Sequence, residues 1–527
     1  MVWGTPMAMA TEHERRYHRG WLWSLVLVCA ATLPFLVHGW FEANDETNDA
    51  AIYVACARSI LAGDGYSYLG VPFTIRPPAT SYLTAVVMAL RGESWAVDGW
   101  WWMNLVTSCI GIAGIVWMYL HARTRVPVWL AWLLALVVWF STPYQELCNQ
   151  VMSDVPGAAL VLLCLGLERW SQARGNGTRG AWWTGAVVGL AIGLSTYMRS
   201  IAILLVPAIV AARTFAHWRS GQKNWTAFVV WRLVPLVAAA WLVKLPWDLY
   251  VGANPPPVPV EQNFLHSYSA AMWHVDGGDP SSPWRSIGDI VGRVPERWTQ
   301  VSSLLGSGML TSKGTLSQQA LGALVLALVA WIAWRRRAAP ELFALGATAV
   351  ILIYFGFRDR LLLPIWLVAL PAAFEGLILL IGRLSVTTAH GVAALVVLAW
   401  SASSMDPRAH WSQAQSQHEY FTRLAADAKT LLPKDARVAA PIGWHTSVFL
   451  QQPVWSLFFA VRRAGNDFAA AEGVFDRQRI DHVLLSPRIP ADKPWAEWLT
   501  QRYGAPRVQG EAYVWQVRPK SSPTNGR

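Results

Sequence analysis

The sequence predicts an α-helical polytopic membrane protein with about eleven transmembrane helices and a small C-terminal α/β domain outside the membrane. Three observations predict it. Of the 527 residues, 54% are hydrophobic and only 14% charged, with a mean hydropathy of +0.30; soluble domains run at about 25% charged. The hydrophobic residues gather in runs near bilayer length, parted by short loops. From residue 404 the composition turns soluble, and helix-like and strand-like segments alternate.

The candidate spans cover 21–38, 100–120, 127–141, 155–168, 181–198, 200–213, 226–245, 318–334, 341–357, 361–381 and 386–403. Arg15, Arg16 and Arg19 precede the first, and no small-residue cleavage site follows it, so it is expected to remain as a first helix. Several runs fall short of the roughly 20 residues of a full crossing. The run 181–213 is too long, since about 33 residues in one helix would overshoot the bilayer. Two short helices meeting at Arg199 are therefore expected, in preference to one helix with a buried arginine.

Alternate loops differ in charge. One set holds Arg15, Arg16, Arg19, Arg123, Arg125, Arg169, Arg174, Arg179, Arg213, Arg219, Lys223, Arg335, Arg336, Arg337 and Arg383, with hardly an acid. The other holds Asp45, Asp49, Asp154, the loop 246–317 and everything after 403. Basic loops mark the cytoplasmic side, so the N-terminus is expected inside and the C-terminus outside. The same distribution argues against a nucleic-acid partner despite a formal charge of +11, because the cations sit in short loops between spans. Many of the 33 Trp lie at the ends of runs, as at Trp100, Trp101, Trp102, Trp182 and Trp183, where an amphipathic ring suits the headgroup level.

Two domains follow: 1–403, with external loops 39–99 and 246–317, and 404–527. In the tail, 418–432 reads as an amphipathic helix and 436–440 as a strand. Helix 468–479 and strand 482–485 come next, then helix 495–503 and a last strand, 512–517; residues 519–527 read as disordered. Cys29, Cys109 and Cys164 lie in apolar runs as small hydrophobes. Cys56 and Cys148 fall on the outer side, where pairing is open to them but is the less favoured alternative.

Residues 44–82 stand apart, with acids amid nearly pure hydrocarbon. Asp49 and Tyr53 lie one turn apart on one helical face. The helical run reaches Leu61, stops at the turn Gly63-Asp64-Gly65-Tyr66, and a bend leads to Arg76-Pro77-Pro78. This reads as a short helix at the membrane surface that presents a carboxylate at the boundary. The ordered set Asp-x-x-x-Tyr-x-x-x-Ala-x-x-Ile (Asp49, Tyr53, Ala57, Ile60), Gly-x-Gly-Tyr and Pro-Pro resembles the first external loop of bacterial GT-C membrane glycosyltransferases. These are relatives of protein O-mannosyltransferases and of the lipid A aminoarabinose transferase. The resemblance covers roughly residues 20–380 in organisation but only short pieces in motif, and the tail departs from the mannosyltransferase pattern. It implies a catalytic loop Asp, a sugar donor carried on a polyprenyl phosphate, and an active site at the periplasmic face of a bacterial inner membrane. The acceptor, a lipid, glycan or protein, stays open.

The candidate residues follow from that chemistry. A lipid phosphate supplies its own leaving group, so one carboxylate near the acceptor hydroxyl supports a single inverting displacement. Asp49 is the first choice for it, while Asp45 and Glu46 read as solvated loop acids. Asp154 opens the fourth span on the outer side; it is either an ordinary helix cap or an assisting acid, as an acid at this position in the family implies. The departing phosphate needs cations, and a planar guanidinium suits it. Arg199, Arg358 and Arg360 all fall on the outer side, and Arg360…Pro364 resembles an Arg-x-Leu-x-Pro pattern late in these transferases, so Arg360 leads. Arg76 is a further candidate, and Tyr53 joins the substrate-binding set. No cofactor is expected; a divalent metal at His266, His274 and Asp276 is the less favoured alternative, since their spacing matches no recognised site. The rival reading is a polytopic lipid or glycan transporter or flippase, which should show repeated, broken helix pairs near the midplane. A non-catalytic scaffold leaves the placement of Asp49, Asp154 and Arg360 on one side to coincidence.

Overall fold

Helices dominate the computed structural model, which describes residues 12–41, 49–92, 97–174, 177–256, 266–354, 358–382, 385–404, 407–441, 443–486, 488–489 and 492–518. Asp45, Glu46, Arg383 and the stretch 519–527 lie outside the described residues. Among these, six helices are long and apolar enough to cross a membrane, and seven if one bent pair counts as a span. The chain is a multi-pass membrane protein. It divides into two compact units, one of Met1–Gly39, Trp100–Tyr250 and Ser286–Arg408, the other of Trp40–Gly99, Val251–Arg285 and Ala409–Arg527.

The first unit is the helical body, and each expected run has a helix in it. The two breaks in its spans have local causes. The run at 127–141 is cut at Ser141, whose extended backbone (φ −67°, ψ 136°) separates Val128–Phe140 from Thr142–Cys148, with Pro143 in the first turn of the second helix. The pieces meet at 61°, and proline at that position gives up no hydrogen bond. At Arg199 the backbone is also extended (φ −154°, ψ 122°), and it parts helix Gly177–Met198 from a 3₁₀ turn, Ser200–Leu204, and helix Leu205–Arg219. The long run is thus two helices, as its length requires. Helix Leu363–Ile381 is buried from Leu363 through Gly376, and its Trp366 lies in the same core cluster as Trp139 and Phe343.

The stretch 246–317 carries more regular structure than a loop reading expects. Helix Val234–Ala253 runs into it, Ser286 with Asp289 forms a capping box for Ile287–Val291, and helix Val294–Ser307 starts on Pro295. That last helix packs on Leu316–Arg336 at backbone contact. A Cβ on Gly306 would lie 1.8 Å from the Gln318 carbonyl oxygen, and one on Gly322 1.9 Å from that of Ser302. Small residues make this approach possible.

In the second unit, helix Asp49–Ala62 leads through a two-stranded hairpin, Ser67–Tyr68 against Val71–Pro72, to helix Ala79–Arg91. The double proline therefore starts a helix: Pro78 stands at its N-cap, where a missing N–H costs nothing. The tail forms a five-stranded sheet in the order Val454–Ser456, Val438–Ala440, His482–Leu485, Ala512–Gln516, Arg507–Gln509. Its first three strands are parallel and the last two antiparallel. Helices Pro407–Leu431, Ala470–Gln478 and Lys493–Tyr503 match expected segments, while helix Gly443–Leu450 and the two edge strands were not legible. At Gly443 only a hydrogen fits, since a Cβ would lie 2.7 Å from the Trp455 carbonyl carbon. Helix Asp49–Ala62 is fastened to this tail: Arg58 donates to the carbonyls of Ser447 (3.2 Å) and Val448 (3.0 Å). Nearby, Phe41 N–H donates to His418 Nδ1 at 3.1 Å, among the rings of Phe421 and Phe449. All five cysteines, Cys56 and Cys148 included, are free thiols.

Candidate functional site

The body places Asp154, Arg199 and Arg360 together. Asp154 is the first residue of helix Asp154–Arg174 and is 0% exposed. Its Oδ1 is 2.5 Å from Arg199 Nη1, and its Oδ2 is 3.9 Å from Arg360 Nε. Arg199 Nη1 also donates to Ser153 Oγ at 3.2 Å, and Arg360 Nη1 approaches Met152 Sδ at 3.7 Å. Each partner sits where a helix begins: Arg199 caps the turn Ser200–Leu204, and Arg360 lies inside the 3₁₀ turn Asp359–Leu362. Breaks in regular structure thus set the site, and Gly157 makes room for it, because a Cβ there would lie 3.0 Å from Arg199 Cβ. Two guanidinium groups face one carboxylate at the positive ends of helices. The surplus charge is positive, in surroundings of low dielectric, and suits an anion with several oxygens. Arg358 is the extended residue ahead of the same turn, close enough for its charge to act on Asp359.

In the other unit, Asp49 and Arg76 form an ion pair between Oδ1 and Nη2, with side-chain exposures of 15% and 4%. The sequence reading had Arg76 as a cation for phosphate; here its guanidinium is turned to Asp49. Burial pulls the Arg76 pKa down, but Asp49, Tyr268 and Tyr53 act the other way, and the net result lies above the usual arginine range. The guanidinium therefore stays charged. The Arg76 carbonyl accepts from Tyr66 Oη at 3.0 Å, and its side chain lies 5.9 Å from the Phe73 ring centre. Tyr53 is buried one turn along from Asp49, as the spacing implied. Burial raises the Tyr66 and Tyr68 hydroxyls well above the usual tyrosine range, so these two side chains stay neutral.

Several participants were not foreseen. Tyr268, from helix Tyr268–Trp273, carried no signal, and Tyr66 was legible only as the end of the Gly-x-Gly-Tyr turn, not as a neighbour of Arg76. Met152 and Ser153 were readable only as neighbours of Asp154. Arg125 and Arg336 were read only as cations of the basic loops, yet Arg125 is buried against Glu341 and Glu375 (3.1 Å to Glu375 Oε2), and Arg336 also pairs with Glu375. The acids that bury them lie about 200 residues or more from Arg125 in sequence. His274 Nδ1 lies 2.8 Å from the Ser282 carbonyl oxygen, and Asp276 Oδ1 accepts from Gly278 N–H at 2.8 Å, so both serve their own loop. Among the described residues no group of three His, Cys, Asp or Glu side chains is placed to hold a metal ion.

No protein-family model matches the sequence, and no curated protein does. Solved structures do match in fold. ArnT from Cupriavidus metallidurans, bound to undecaprenyl phosphate, superposes with a TM-score of 0.60 at 12% identity, covering 94% of this chain and 98% of ArnT. The archaeal oligosaccharyltransferase AglB from Archaeoglobus fulgidus, in complex with an inhibitory peptide and a dolichol-phosphate, superposes at 0.53 with 13% identity. That alignment covers 97% of this chain and 75% of AglB. Identities this low speak for architecture alone, and over nearly its whole length this chain has the GT-C fold that ArnT and AglB share.

Proposed function

We propose that the chain is an inverting glycosyltransferase that moves a sugar from a polyprenyl-phosphate donor to a hydroxyl acceptor at the periplasmic face of a bacterial inner membrane. In this reading eleven helices span the membrane, the N-terminus is cytoplasmic, and 404–527 forms a periplasmic α/β domain. Asp49 takes the proton from the acceptor hydroxyl as its oxygen attacks the anomeric carbon. The bond from that carbon to the phosphate oxygen breaks, the phosphate leaves with the electron pair, and the single displacement inverts the centre. Arg360, Arg199 and Arg358 meet the charge of the leaving phosphate. Asp154 keeps the first two guanidinium groups in place, and Arg76 with Tyr53 does the same for Asp49.

The observation that carries this reading is the buried Asp154 carboxylate between Arg199 and Arg360. It stands on a fold whose solved examples hold undecaprenyl phosphate in ArnT and a dolichol-phosphate in AglB. Mass spectrometry of envelope glycans tests it. A strain lacking the protein should lose one sugar from a glycoconjugate, and the wild-type chain should restore it. The same loss with lipid-linked sugar stranded on the cytoplasmic side would point to a flippase instead.

A further inference from the structure

The helical body holds a cavity of about 220 Å³ at the far end of helix Asp154–Arg174. From Asp154 to Glu168, which underlies the cavity, is about 21 Å at 1.5 Å per residue. Its floor is a saturated ion pair. Arg213 Nε donates to Glu168 Oε1 at 2.9 Å and Nη2 to Oε2 at 2.5 Å, while Gln172 Nε2 also donates to Oε1 at 2.8 Å. Arg213 Nη1 donates to the Arg232 carbonyl, which lies in a single π turn, Val229–Leu233. Such turns displace a carbonyl from the regular ladder. With the Glu168 carboxylate and the Arg213 guanidinium engaged with each other, the polar side chains left to line the space include Arg232, Ser171, Gln222 and the His217 ring, with no Asp or Glu among the described lining residues.

His217 supplies the second observation. Its ring is buried, stacked on Phe228 (4.2 Å, 11°) and edge-on to Trp225 (4.6 Å). Among the described residues its Nε2 is buried with no hydrogen-bond partner. A buried nitrogen left unpaired is costly, and an oxygen-rich ligand cancels that cost. Trp218, Trp225 and Trp231, 62%, 42% and 39% exposed, flank the same elements, as aromatic side chains do at headgroup level.

We propose that this cavity binds the phosphate of an anionic lipid head group, at a site separate from the transfer reaction. Basic pockets between membrane helices are suited to such head groups, and a free phosphate ion shares the chemistry. The proposal does not rest on glycosyl transfer, because binding is its readout.

The test is native mass spectrometry of the purified, delipidated full-length protein, titrated with phosphatidylglycerol, with phosphatidylcholine and with inorganic phosphate. One phosphatidylglycerol should be retained, and phosphatidylcholine should bind far more weakly. Arg232→Gln should weaken retention about tenfold, the usual worth of one charge-assisted hydrogen bond. Ser171→Ala should weaken it less, and Arg219→Gln, which changes a nearby cation that does not line the cavity, should leave it unchanged. Displacement of the lipid by millimolar phosphate supports the site and identifies the phosphate as the recognised group. Retention of phosphate without lipid supports the site and makes the free ion its ligand. Equal binding of both lipids with no phosphate binding overturns the proposal, and so does an equal loss from Arg219→Gln and Arg232→Gln.

Discussion

Asp49→Asn is the most informative substitution, and the ion pair changes what it should do. On sequence grounds asparagine keeps the size of the side chain and leaves folding intact. In the structure it strips the counter-charge from Arg76, whose side chain is 4% exposed. Removing one partner of a buried pair costs about 3–5 kcal/mol. Because Asp49 is itself 15% exposed, the lower end, about 3 kcal/mol, is expected. Turnover should fall by about 10²–10⁴ if Asp49 is the base, so a loss of activity alone does not separate the two roles. The double variant Asp49→Asn/Arg76→Gln does, since two neutral amides in place of two charges should return most of the lost stability. Thermal unfolding in detergent reads the first effect, and transfer from a radiolabelled polyprenyl-phosphate sugar in membranes reads the second. Asp45→Asn, outside the Asp-x-x-x-Tyr pattern, is the control. Stability recovered with turnover still absent is the expected result. Turnover recovered along with stability would refute the base, leaving Asp49 as a structural counter-ion.

Arg360→Ala should weaken use of the lipid donor by tenfold to a hundredfold, from about 1.5–3 kcal/mol for one charge-assisted contact. Arg358→Ala should cost much less, and equal small losses in donor titrations would exclude both from the leaving group. Reporter fusions at Ser412 and Ala338 should signal from opposite sides of the membrane, because the basic loop at Arg335, Arg336 and Arg337 and the tail fall in opposite loop sets; same-side signals would break the span order. In the tail, burial pushes the Asp492 carboxyl up to about 6, opposed by the Ser486 N–H it accepts at 3.1 Å. The folded state then binds more protons than the unfolded chain between about pH 4 and 6. The contribution of Asp492 to stability should therefore fall as pH rises through that window and level off above it. Hydrogen exchange in strand His482–Leu485, compared at pH 5 and pH 7.5 after correction for intrinsic rates, should show this trend in the wild type and lose it in Asp492→Asn.

Local pattern made much of the fold readable. Run lengths placed the apolar helices of the body, and the excess length of 181–213 located the break at Arg199, because bilayer thickness limits how many residues one helix can bury. The four-residue spacing from Asp49 to Tyr53 and the turn after Leu61 marked a helix and its end, since both are local backbone properties. Edges and small residues defeated the same reading. Helix Val294–Ser307 is held by backbone approach at Gly306 and Gly322, which no hydrophobic period announces.

By itself, the sequence determined a multi-pass helical body, a tail of alternating helix and strand, and which acids and arginines stand out from their apolar surroundings. Only the tertiary structure decided their pairing: Arg76 with Asp49, Arg199 and Arg360 with Asp154, Arg125 with Glu341 and Glu375, Arg213 with Glu168. The physical reason is that composition and periodicity are summed over neighbours in the chain. A buried charge must instead find its opposite in space, and in each of these pairs the partner lies on a separate helix or loop.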